Sequence, residues 1–187
     1  QSFIEYSNNH WGTFFAVDDY DENWTKLWQV DNEEAGRRSQ EYLSSGILNS
    51  YEHNEDAIEV FEKLKENYKL IIVTSRSIWL KEITVGWVKS RYPYIFTDED
   101  IYFAGIWDKG VCDEAIIRDK GDFIMKLGAD YIIDDQPKHC IGAAQRGIKA
   151  LLFGDYGWNR LENLPSCVNR VKNWSEVLAY FQAHGKD

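Results

Sequence analysis

The chain has 187 residues, room for one core with a small insertion, and its 44% hydrophobic content gives that core an interior. A formal net charge of −10 excludes a general binder of nucleic-acid polymers, which needs clustered Lys and Arg, yet allows a small phosphorylated ligand held by one or two local cations and a metal. No apolar run is long enough to span a bilayer, no charged-then-apolar leader is present, and Cys112, Cys140 and Cys167 form neither a zinc spacing nor a disulfide framework, so the expected setting is cytoplasmic and reducing.

Residues 1–10 read as a helix closed by Asn8-Asn9-His10-Trp11-Gly12. The sequence opens at Gln1 with Phe3-Ile4-Glu5-Tyr6 already in an amphipathic pattern, which sets the expectation that the protein is processed or that its beginning is missing. Residues 13–55 are rich in acidic and aromatic side chains without strand alternation. Within them Glu33–Leu43 reads as a helix, with Gly46 past its end. The expected division is a first core helix over 1–12, a helical cap over 13–54, and an α/β core over 55–187.

In the core, Glu55–Glu66 is amphipathic, with Ile58, Phe61 and Leu64 on one face. Leu70-Ile71-Ile72-Val73 is a β-branched run ending in Thr74-Ser75-Arg76, followed by a helix over Ile78–Ser90. Ile101–Ala104 is the next strand, then a loop over 105–118, a helix over Lys120–Leu127 stopped by Gly128, and a strand over Tyr131–Ile133. A helix over His139–Arg146, a strand over Ala150–Phe153, and a helix opened by Asn173 and Glu176 in a capping-box pattern complete the chain. Strands alternating with helices predict a Rossmann-like parallel sheet with helices on both faces, plus the small helical cap.

Three features fall at strand ends or just before one. Thr74 and Ser75 end one strand, Lys120 opens the helix leading into another, and Asp134-Asp135 end that strand. In open parallel sheets, ligands bind beyond the carboxyl ends of the strands. Hydroxyls donate to phosphate oxygens, a Lys balances charge on a transferring group, and carboxylates hold Mg²⁺, which prefers oxygen ligands and shares itself with substrate phosphate. Each feature has a bland alternative: Thr74-Ser75 as a helix cap, Lys120 as a solvated surface residue, Asp134-Asp135 as a loop pair. Their joint order favours a phosphoryl site.

This set resembles the haloacid dehalogenase-like phosphatase superfamily, and within it the 5′(3′)-deoxyribonucleotidase branch with its bacterial nucleotidase relatives. The resemblance rests on Leu70–Thr74 with Ser75-Arg76, on Lys120, on Gly128-Ala129-Asp130 before Asp134-Asp135, on Asn9 with Gly12-Thr13, and on Tyr102–Gly105 after Tyr92-Pro93. It implies Mg²⁺-dependent hydrolysis of nucleoside monophosphates through a phospho-aspartate. Thr74, Ser75, Arg76 and Lys120 would bind phosphate, Asp134 would ligate the metal, and Asp135 would ligate it or orient a bound water or Lys120. Arg76 either contacts phosphate or holds a neighbouring loop. Trp24 and Trp28, four apart on one helix face, either stack on a base or pack the cap onto the core. His139 reads as structural. A homodimer is left open.

The family's first motif, a strand ending in Asp-x-Asp ahead of the first helix, is expected upstream of Gln1. Without that strand, those ending at Thr74 and Asp134 would each keep an unpaired edge. The internal spacing Asp19-x-Asp21 lies in the cap region, where Asp18 or Asp19 is expected to cap the helix of Trp24 and Trp28. Two readings stay open: a fragment of an active nucleotidase, or a non-catalytic relative binding a phosphorylated ligand or a protein. On both, the chain as written is expected to turn over negligibly. A receiver-type signalling domain has the acidic pair first and Lys last, the opposite order. Gly154-Asp155-Tyr156-Gly157 comes too late, and lacks the pattern, for a dinucleotide turn.

Overall fold

A computed structural model describes residues 3–108 and 117–185. The expected loop over 105–118 is covered only in part, and Gln1, Ser2 and Cys112 lie outside the described residues. The first part of the chain is helical: α1 (Phe3–Trp11), α2 (Trp24–Trp28) and α3 (Asn32–Ser44). Asp31 caps α3 by accepting from Glu34 N. The cap of α2 is Asn23, which accepts from Lys26 N at 3.4 Å, rather than Asp18 or Asp19. Those two end a separate 3₁₀ turn over Val17–Asp19, four or more residues too early to reach the first free N–H groups of α2. Ile4 of α1 packs with Leu27, Trp28 and Ala35, and Phe3 stacks on Trp24 at 4.6 Å.

The rest alternates: α4 (Asp56–Lys65), β1 (Ile72–Thr74), α5 (Lys81–Arg91), β2 (Ile101–Phe103), α6 (Gly121–Lys126), β3 (Tyr131–Asp134), α7 (Pro137–Ala144), β4 (Lys149–Phe153), β5 (Val168–Val171) and α8 (Trp174–His184). Among the described residues all strand pairing is parallel, in two sheets of order β1-β2 and β3-β4-β5. Among the described residues β1 and β3 each pair on one side only.

Helices cover both faces, and β4 shows why its sequence is an unbroken apolar run. Ala150 and Leu152 point to one face, into a cluster with Ile124 of α6 and Cys140 and Ala143 of α7. Leu151 points to the other, against Val60 and Leu64 of α4 and Val177 and Phe181 of α8. Val73 of β1 packs against the first cluster, so the two sheets share that layer. Truncating Leu151, which is wholly buried, to alanine is expected to destabilise the fold by about 2–5 kcal/mol, read from urea unfolding; a change under about 1 kcal/mol would contradict its place at the centre of that face.

The strand β5 was not legible in the sequence. Val168-Asn169-Arg170-Val171 has no apolar run, because β5 is an edge strand with only Val168 and Val171 buried. The cap of α8 also departs from the reciprocal pattern. Asn173 accepts from Glu176 N at 2.9 Å, but the Glu176 carboxylate accepts from Lys172 N at 2.8 Å, one residue before the cap.

Candidate active site

Parallel strands bring the carboxyl ends of β1 and β3 to the same edge of the fold. A cavity of about 1320 Å³ opens there, with Thr74, Ser75, Arg76, Lys120, Asp134, Asp135 and Trp24 in its lining. Lys120 precedes α6, and Gly121 brings α6 so close to α7 that a Cβ there would lie 2.8 Å from Gly142 O. That approach sets Lys120 beside the end of β3, where its Nζ donates to Asp134 Oδ2 at 2.7 Å. The pair is largely shielded, with side-chain exposures of 11% and 8%. The other Asp134 oxygen accepts from Gln136 N at 2.9 Å.

Asp135 is held differently. Its Oδ2 accepts from the Trp158 indole N–H at 2.9 Å, and its carbonyl accepts from Asn159 Nδ2 at 3.2 Å. Burial pushes its carboxyl above the usual range, and the neighbouring Asp134 charge adds to this.

Thr74 Oγ1 accepts from Arg76 N at 3.1 Å, which leaves its hydroxyl proton to donate into the cavity. Ser75 Oγ lies 3.3 Å from His139 Nε2. Arg76 donates to Thr84 Oγ1 at 3.2 Å, so it both holds α5 and lines the cavity. Burial lowers its pKa. Among the described residues no carboxylate lies within ion-pair distance of its guanidinium, which makes it a fitting partner for an anion.

Trp24 lines the cavity but Trp28 does not. Trp28 is buried among Phe3, Trp11 and Trp24, with its indole N–H donated to Ser7 Oγ at 3.3 Å. Asp19 and Asp21 do not line the cavity either. Asp19 accepts from Ala16 N, and Asp21 pairs with Lys26 at 2.6 Å.

The sequence reading missed Trp158, which lines the cavity, Asn159, which donates to the Asp135 carbonyl, and Arg170, which donates to Asn159 Oδ1 at 3.1 Å. They lie in or beside the loop after β4, and a rule that points to the carboxyl ends of parallel strands applies to that loop as well as to those after β1 and β3.

His139 is 3% exposed and its Nδ1 has no hydrogen-bond partner. Burial pushes the imidazole down to about 3, with Asp134 opposing and Lys120 and Lys138 adding to the fall. The unfolded chain, with an ordinary imidazole near 6.5, takes up the proton first. Stability from this group is therefore complete above pH 6.5 and falls with acidification toward pH 3, by up to about 1.4 kcal/mol per pH unit. His139→Asn should flatten that slope in unfolding free energies measured across the window; an unchanged slope would contradict it.

The donor set can be tested against Mg²⁺. Among the described residues no three His, Cys, Asp or Glu gather into a complete cage. Two adjacent carboxylates at one cavity wall do suit an ion that keeps waters and completes its shell with substrate phosphate.

A protein of Halalkalibacterium halodurans named "Putative nucleotidase" is 23% identical to this chain over 180 residues, spanning 96% of this chain and 84% of that protein. No family model matches the chain, and no solved structure matches it. Among the described residues, no helix is long and apolar enough to cross a membrane.

Proposed function

We propose that the protein is a Mg²⁺-dependent phosphomonoester hydrolase of the haloacid dehalogenase-like type, a 5′-nucleotidase acting on (deoxy)nucleoside monophosphates in the cytoplasm. The observation that carries this reading is the gathering of Thr74, Lys120 and the Asp134-Asp135 pair at the carboxyl ends of parallel strands around one cavity. The likeness to a protein named a nucleotidase over 96% of the chain supports it.

On this reading Thr74 donates its hydroxyl proton to a phosphate oxygen, with Ser75 and Arg76 beside it. Lys120 neutralises charge that builds on the transferring group, and Asp134 keeps its ammonium aimed. Asp134 and Asp135 would hold Mg²⁺, which, when bound, supplies Lewis-acid stabilisation of the phosphoryl oxygens. The resemblance implies a phospho-aspartate. Among the described residues the carboxylates lining the cavity are Glu22, Glu52, Asp108, Asp134 and Asp135, none in an Asp-x-Asp pattern, so no attacking residue is assigned.

Residues 13–54 serve as the cap and set substrate choice. Phe3 already stacks on one face of Trp24, so a base would have to use what remains of that ring. Thr74→Val removes one donor and keeps the shape. In the full-length protein it should lower kcat/KM for a nucleoside monophosphate by about 10- to 100-fold while leaving affinity for the unphosphorylated nucleoside unchanged. An unaltered kcat/KM would overturn the role given to Thr74.

A further inference from the structure

The loop after β4 does more than close the cavity. Trp158 lies between the acidic pair and the helical segment. Its indole N–H is donated to Asp135 Oδ2 at 2.9 Å, one ring face stacks on Tyr156 at 4.5 Å and 9°, and Tyr20 of the helical segment meets it edge-on at 5.2 Å. The next residue, Asn159, is fully buried and donates to the Asp135 and Phe153 carbonyls, which fixes the loop beneath the indole. On the other side, Gly157 N donates to Asp18 Oδ1 at 3.1 Å, and a Cβ on Gly157 would lie 2.3 Å from Asp18 O. Arg160 donates to Asp18 Oδ2 at 2.7 Å. Tyr20 of the helical segment and Asp135 of the acidic pair therefore both lean on one indole ring.

We infer that Trp158 is a positioning residue: its N–H fixes the Asp135 carboxylate for the metal, Tyr20 of the helical segment fixes the ring, and Asp18 holds the flanking Gly157 and Arg160. The inference rests on the reading of Asp134-Asp135 as the Mg²⁺ site. A carboxylate oxygen that already accepts a hydrogen bond has lost rotational freedom, so its second oxygen is presented in one direction. Partners of this kind typically change metal affinity by about 10- to 100-fold when removed. A shift of the helical segment would move Tyr20 and the Asp18 contact, and with them the ring that holds Asp135, so seating of the cap and metal binding are coupled.

The test is Mg²⁺ binding without substrate, by isothermal titration calorimetry on the full-length protein. Trp158→Phe keeps a ring and removes the donor; it should weaken Mg²⁺ binding about 10-fold or more. The same substitution in an Asp135→Asn background should add less than about 2-fold, because the carboxylate that the indole serves is gone. Gly157→Ala leaves the indole donor in place but forces the loop off Asp18; it should weaken Mg²⁺ binding in the same direction, and it keeps the idea testable if Trp158→Phe does not fold. If the wild type binds no Mg²⁺, the metal-site reading fails and this inference with it. If the wild type binds and Trp158→Phe binds equally well, the inference alone fails. Equal weakening by Trp158→Phe with and without Asp135 would show a merely structural ring and would also overturn it.

Discussion

Asp134→Ala is expected to reduce turnover of nucleoside monophosphates on the order of 10³-fold or more. The substitution removes the carboxylate proposed to ligate Mg²⁺. It also strips Lys120, whose side chain is only 11% exposed, of its counter-charge. A shielded ammonium without a partner is costly, so Lys120 would swing toward solvent and away from the phosphoryl position. Asp134→Asn should be nearly as inactive but better folded, because its side-chain oxygen still accepts from Gln136 N, where Asp134 Oδ1 does now. Steady-state kinetics at saturating Mg²⁺, with thermal unfolding as the control for fold, separates the two effects. Activity of Asp134→Ala within about 10-fold of wild type would remove Asp134 from the chemistry.

The second large effect is structural and lies just beneath the site. Asn159→Leu should cost about 3–5 kcal/mol. Both ends of this buried amide are in use. Its oxygen accepts from Tyr156 N at 3.1 Å and from Arg170 Nη1 at 3.1 Å, and its nitrogen donates to Phe153 O at 2.9 Å and Asp135 O at 3.2 Å. Leucine fits the volume but strands a backbone N–H and two carbonyls in a place without solvent. Arg170 would keep its bonds to Gly154 O and to the carbonyl of residue 159, so the loop would loosen rather than detach. Urea unfolding reads the loss; a change below about 1 kcal/mol would show that the network is not holding the loop.

Much of this was readable from the residues alone because it depends on local pattern. The apolar runs Leu70–Val73, Tyr131–Ile133 and Ala150–Phe153 announced strands, and their alternation with helices announced a parallel sheet covered on both faces. Parallel order then placed Thr74 and Asp134 at one edge, and the close approach of Gly121 to the next helix adds Lys120. What escaped depends on contacts between distant segments. The edge strand β5 buries only two side chains and leaves too weak an apolar signal. Trp158 has an ordinary local context, and its role exists only because residues 23 positions apart meet at Asp135. Trp24 and Trp28 share one helix face and look equivalent in sequence, yet Ser7 and Trp11 enclose one while the cavity takes the other. The capping of α2 by Asn23 instead of Asp18 or Asp19 reflects a 3₁₀ turn that the acidic run concealed.

Phosphate release from nucleoside monophosphates by the full-length protein decides whether it is a phosphomonoesterase. A panel of mono- and deoxymononucleotides should yield inorganic phosphate with Mg²⁺ present, lose it in EDTA, and regain it when Mg²⁺ is restored. Phosphate release that persists in EDTA, or tight binding of the same nucleotides with no release under any Mg²⁺ concentration, would contradict it.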